Sequence, residues 1–106
     1  MHVTVDIFSG RPNPEFDLDP DEAERVLQLV TSLAAAPGRS AQPPPLGYRG
    51  FVVEDGGGTR LHVFHGLVVD SRGARGDPDR QLEWLLLESA RRHLGPDALP
   101  ERWLEP

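Results

Sequence analysis

The chain has 106 residues, 38% of them hydrophobic and 26% charged, which is enough apolar side chain for one hydrophobic core. Its formal charge of −6 lacks the electrostatic footprint that phosphate backbones and anionic membranes attract, so neither nucleic acid nor membrane is an expected partner. It has no cysteine, which excludes disulfides, thiol catalysis, iron–sulfur clusters and thiolate zinc sites.

The eleven basic residues are all Arg. Without Lys there is no Schiff-base chemistry, no self-contained pyridoxal site and no P-loop. No apolar run approaches the ~20 residues that a bilayer span needs. Met1-His2-Val3-Thr4 has no charged segment leading into an apolar one, so no secretory signal is expected and the protein reads as cytoplasmic. The Arg-only basicity, with abundant Ala, Gly and Pro, fits a GC-rich bacterial genome.

Val3 to Phe8 alternates and is rich in β-branched residues. It predicts a strand with Val3, Val5 and Ile7 on one face and Thr4, Asp6 and Phe8 on the other. Pro12 and Pro14 cannot donate to a ladder, so the strand ends at the elbow Ser9-Gly10-Arg11-Pro12-Asn13-Pro14. Asp19-Pro20-Asp21-Glu22 is a helix start: a capping Asp, Pro at the first helical position, and Glu completing a capping box. Ala23, Val26, Leu27, Val30, Leu33 and Ala34 follow at helical spacing, and Pro37-Gly38 ends the run. Residues 37–46 form a Pro-rich connector within the domain.

Tyr48 to Asp55 predicts a second strand, Asp55 to Thr59 a glycine-rich hairpin loop, and Leu61 to Asp70 a third, long strand. Ser71 to Gly76 reads as a loop. Asp77-Pro78-Asp79 repeats the helix-start chemistry, and Leu82, Leu85, Leu86, Ser89, Ala90 and His93 share a face widened by Trp84 and Leu87. Gly95-Pro96 stops this helix. The expected fold is a two-layer α+β domain over 1–106, ordered β-α-β-β-α, with two helices on one face of a three-stranded sheet and the tail 97–106 docked on the body.

The sheet face left open by the helices would carry Phe8, Phe64 and Val68 among His2, Asp6, His62 and Asp70. A contiguous apolar patch with a polar rim is an interface. The alternative is that the tail covers it through Trp103. The elbow offers a second surface. Ser9, Gly10, Arg11 and Asn13, with Tyr48 and Arg49 at the start of the second strand, compose a two-Arg pocket for a carboxylate or phosphate. The plainer reading is a rigid turn beside an Arg paired to a carboxylate.

Other chemistries have weaker support. In His62-x-x-His65, positions i and i+3 of a strand face opposite ways, so one metal ion cannot take both, and no metal or other cofactor is expected. His65 reads as a core histidine. Ser9 lacks a nucleophile elbow or triad pattern. Asp6 and His62 are the residues an acid–base enzyme would use. The Arg- and Gly-rich stretch 71–76 precedes a helix, but Asp77 and Asp79 occupy the same positive end, so capping outweighs phosphate binding.

The leading expectation is a small non-catalytic binding or accessory module that holds a peptide or an acidic small molecule through the open sheet face or the elbow. Homodimerisation through that face or a sheet edge accompanies it. The alternatives are a cofactor-independent enzyme using Asp6 and His62, or a structural partner in a larger complex.

Overall fold

Branched apolar residues alternating with polar ones extend the chain from its second residue: His2–Val5 forms β1, with Val3 and Val5 fully buried. In this computed structural model, which describes residues 1–7, 13–39 and 48–95, eight further elements follow. They are β2 (Glu15–Asp17), α1 (Pro20–Ser32), β3 (Phe51–Glu54), β4 (Arg60–Phe64), β5 (Leu67–Asp70), β6 (Gly73–Gly76), a 3-10 turn (Pro78–Arg80) and α2 (Gln81–Leu94). The strands make one sheet in the order β2-β1-β3-β4-β5-β6, with every neighbouring pair antiparallel.

The α+β class matches the expectation, but the sheet has six strands rather than three. Each added strand has a local cause. Pro14 donates nothing, yet its carbonyl accepts the Val5 N–H (2.8 Å), and that bond starts the β1–β2 pairing before Glu15. Leu61 to Asp70 is not one strand. It folds back at His65 and Gly66, whose φ values of 46° and 86° make a two-residue hairpin turn of the primed kind. Gly73–Gly76, expected as loop, pairs with β5 through backbone groups alone and needs no apolar side chain.

The hairpin also corrects two side-chain assignments. Val63 pairs with Val68 and Phe64 with Leu67, so the turn places Val68 on the face opposite Phe64. Val68 is buried in the core rather than joining an open patch, and Phe64 is buried as well. His65 is an exposed turn residue, not a core histidine, with its ring 4.1 Å from that of Phe64. Phe8 to Arg11 and Trp103 lie outside the described residues.

One core joins the sheet to both helices. Val3, Val5, Phe51, Val53, Leu61 and Val63 meet Val26 and Val30 of α1 and Leu82, Leu86, Leu87 and Ala90 of α2. Gly50, just before β3, has φ +98°, and a Cβ there would stand 2.3 Å from the Val63 carbonyl oxygen. Only glycine permits this approach of β3 to β4. After α1 the chain returns to the sheet: Ala36 N–H donates to Ala74 O (2.9 Å) and Gly76 N–H to Ala34 O (3.0 Å). This pairing covers the outer edge of β6.

Buried carboxylates fix the helices. Glu83 of α2 is fully buried. It accepts the Tyr48 hydroxyl, the His65 N–H (2.9 Å) and both arms of the Arg80 guanidinium (3.0 and 3.2 Å). Burial and the neighbouring Glu83 charge push the Tyr48 phenol far above its usual pKa. Asp77 caps α2 from outside, accepting Leu82 N–H (2.9 Å) and Glu83 N–H (3.2 Å). Burial raises its pKa against those two bonds.

Glu22 joins α1 to α2. It accepts the Asp19 N–H of the capping box (2.9 Å), the His93 ring (2.7 Å) and the Arg92 guanidinium. Burial favours its neutral form, but bonds from Ser89, His93, the Asp19 backbone and Arg92 outweigh burial and hold the carboxyl well below its usual range.

A depressed folded-state pKa adds stability that is present above the unfolded value near 4.5 and is lost as pH falls toward the folded value. Glu22→Gln is therefore expected to be less stable than the parent by about 2 kcal/mol at pH 7, from the lost charge-assisted bonds. In urea melts that gap should narrow steadily below pH 4.5. A gap that stays constant down to pH 2 would contradict this reading of the clamp.

Candidate functional site

Four of the residues expected from sequence converge where β1 ends. Arg49 Nη2 donates to Asp6 Oδ1 (2.7 Å), and backbone bonds tie the same two residues, from Arg49 N–H to Asp6 O (2.7 Å). Asn13 accepts the Ile7 N–H (3.0 Å) and gives its own amide to Asp6 Oδ1 (3.4 Å). His62 Nε2 donates to the Arg49 carbonyl (2.7 Å).

These bonds bind the chain to itself. The Arg49 guanidinium gives one bond to Asp6, and the Tyr48 hydroxyl gives its proton to Glu83. Tyr48 and Arg49 therefore serve different carboxylates. No hydrogen bond joins Asp6 to His62 among the described residues. Asn13 Oδ1 stands in for a backbone carbonyl by accepting the Ile7 N–H. Ser9, Gly10 and Arg11 lie outside the described residues.

Elsewhere, Asp19, Glu22 and His93 offer ligand atoms within 4.8 Å of one another. Arg92 already supplies the positive charge there. His2 sits between Asp17 (2.9 Å) and Glu15 (3.5 Å), and the Asp17 hydrogen bond leads in raising its pKa. This is an exposed ion pair across β1 and β2.

A concavity lies under α1. It is a groove of ≈ 630 Å³. Val26, Leu27, Val30 and Thr31 form its roof, spaced along one side of the helix. Val53 and Leu61 form its floor, and its rim comes from the β3–β4 loop and the β5–β6 turn. The groove exists because of what β5 and β6 present. Beyond Val68, the positions facing the helices are Asp70, Gly73 and Arg75, read from the pairing register. None offers an apolar side chain for α1 to close upon. Arg75 instead donates from Nη1 to the Val30 carbonyl (2.9 Å) and bridges β6 to the last turns of α1.

Charge at the rim is unequal in kind. The two carboxylates are committed to their loops. Asp55 Oδ1 accepts Gly57 N–H (2.7 Å) and Thr59 N–H (3.1 Å), and these backbone bonds lower its pKa. Asp70 Oδ1 accepts Arg72 N–H (2.7 Å) and Gly73 N–H (3.2 Å). The exposed Arg60 and Arg72 guanidinium groups have no ion-pair partner among the described residues. Leu27 is 49% exposed at the groove, and only Trp84 is a comparably exposed large apolar residue among those described.

Sequence reasoning passed over Arg60 and read Arg72 and Arg75 as part of a loop before α2. The available signal was Ser71-Arg72-Gly73-Ala74-Arg75-Gly76, two Arg among small residues. Its meaning depended on β6 lying beside the α1 end of the molecule. No family model matches the chain, and neither curated proteins nor solved structures show a significant similarity to it.

If the Asp6–Arg49 pair is an internal clasp, a double-mutant cycle with Asp6→Asn and Arg49→Met should give a coupling of about 1 kcal/mol in urea unfolding. The pair is partly exposed, so 1 M salt should reduce that coupling. A coupling near zero would release Arg49 for some other role.

Proposed function

We propose that the protein is a non-catalytic binding module that holds an acidic small molecule in the groove under α1. The observation carrying this reading is that Arg60 and Arg72, which make no ion pair among the described residues, line the groove with an aliphatic floor in a chain of net charge −6. Arginine forks match carboxylates in geometry and charge, and apolar contact adds affinity without direction. The volume lies within the range of small-molecule sites. Strand addition by a peptide has less support. The outer edge of β6 is bonded to Ala34 and Ala36, and β2 has three residues, of which Glu15 and Asp17 are exposed acids. An acid–base enzyme is likewise less supported, because Asp6 is committed to Arg49.

The test is a titration of carboxylic acids followed by methyl NMR. Shifts are expected at Leu27, Val30 and Leu61. Arg60→Ala and Arg72→Ala alter exposed side chains, so folding should be retained. Each should weaken binding roughly tenfold, the value of one charge-assisted bond. Shifts centred on the Val52 methyls instead would move the site to the Asp6–Arg49 side of the sheet.

A further inference from the structure

The sheet has a second face that neither helix covers. Both helices pack on the side of Val3, Val53, Leu61 and Val63. On the other side, the pairing register sets Glu15, Thr4, Val52, His62, Val69 and Ala74 in one row across all six strands. From Thr4 to Ala74 the members of this row are half-buried. The next row runs Asp17, His2, Glu54 and Arg60. Its charges are sorted across the sheet. Asp17 and Glu54 lie on the β2–β1–β3 half, as Glu15 does, and Arg60 lies on the β4–β5–β6 half. His2 is paired to Asp17 within the chain. Glu54 and Arg60 are exposed cross-strand neighbours, and neither makes an ion pair among the described residues.

We propose that this face is the interface of a symmetric homodimer, with a two-fold axis that runs along the strands between β3 and β4. An axis so placed lays β3 of one protomer over β4 of its partner and β2 over β6, while each row stays opposite the same row. Glu54 then meets the partner's Arg60, and the symmetry makes that contact twice. Val52 lies over the partner's His62 and Thr4 over the partner's Val69, which takes half-buried methyl groups out of water. Facing sheets stand about 10 Å apart, a gap that Glu and Arg side chains span together. Aligned sheets cross at about 30°, and the Glu54–Arg60 pairs, being nearest the axis, are displaced least. An axis running across the strands would set Glu54 over the row of Phe64 and Leu67, where no cation answers it. The face is complementary to itself in one orientation only. This inference goes beyond the acid reading and does not rest on it. The two uses of Arg60 exclude each other, which makes the dimer the ligand-free state.

The experiment is sedimentation equilibrium of the full chain in buffer free of carboxylic acids. The parent should show a reversible monomer–dimer equilibrium in the micromolar range, as a small and partly polar interface gives, and it should weaken in 1 M salt. Glu54→Arg sets like charges together at both copies of the contact and should weaken the dimer at least tenfold. The charge swap Glu54→Arg/Arg60→Glu restores the pair in the reverse sense, and should bring the dimer back to within a few-fold of the parent. Both positions are exposed, so the thermal melts of the variants should stay close to that of the parent. A monomer at every concentration would overturn the inference. So would a dimer that Glu54→Arg leaves unchanged, or one that the charge swap fails to restore. NOEs from the Val52 and Val69 methyls to Trp103 of the same chain would put the tail on this face, and would overturn it as well.

Discussion

A carboxylate shut away from water must have its oxygens answered by donors, and Glu83 imposes that demand at the centre of this fold. Its four bonds come from three places: the Tyr48 hydroxyl before β3, the His65 amide in the β4–β5 turn, and two nitrogens of Arg80 in the 3-10 turn. The three described non-glycine residues with positive φ are His65, Asp79 and Arg80. Two of them are Glu83 donors, and the third lies beside Arg80. Backbone strain of this kind persists only where surrounding bonds over-determine it. Here the bonds to Glu83 and the Asp77 cap do so, and they set α2 against the end of β4. Glu22 then ties α1 to α2 through Arg92 and His93. The roof of the groove is thus positioned by two buried acids, neither of which lines it.

Counting where the cations go separates architecture from recognition. Arg49 serves Asp6, Arg80 serves Glu83, Arg92 serves Glu22, and Arg75 holds the Val30 carbonyl at the end of α1. Such pairs contribute little net stability when exposed, but breaking a buried one leaves a charge that nothing answers. Arg60 and Arg72 stand outside this network among the described residues, on the rim of the groove under α1. In an acidic chain, two such cations beside an aliphatic floor are the feature on which the proposed acid binding rests. The Asp6–Arg49–His62 cluster has the residue types of an active site, but its internal bonds make it a clasp.

The helices were legible because their signals are local. Asp19-Pro20-Asp21-Glu22 begins α1 at Pro20, and Gly95 follows the end of α2. The sheet was less legible, and each miss has a physical reason. His65-Gly66 makes a primed turn without the Asn-Gly or Asp-Gly signature, since the bond from the His65 amide to Glu83 helps hold His65 at φ 46°. Gly73–Gly76 forms a strand with no apolar pattern, because pairing with β5 and bonds to Ala34 and Ala36 satisfy it through backbone alone. Asp6, Asn13, Arg49 and His62 were singled out by residue type, and they do meet, but composition cannot show that they spend their bonds on one another. Arg60 and Arg72 lie apart in the chain, and only the strand order brings their loops to one groove.

The central claim is that the groove under α1 takes the hydrocarbon body of an acid, and its most direct test is the position of a bound molecule. Intermolecular NOEs between octanoate protons and the isotope-labelled protein would supply it. The account predicts contacts from the octanoate chain to the methyl groups of Leu27, Val30 and Leu61. Contacts confined to Val52 and Phe64, on the opposite sheet face beside His62, would contradict it.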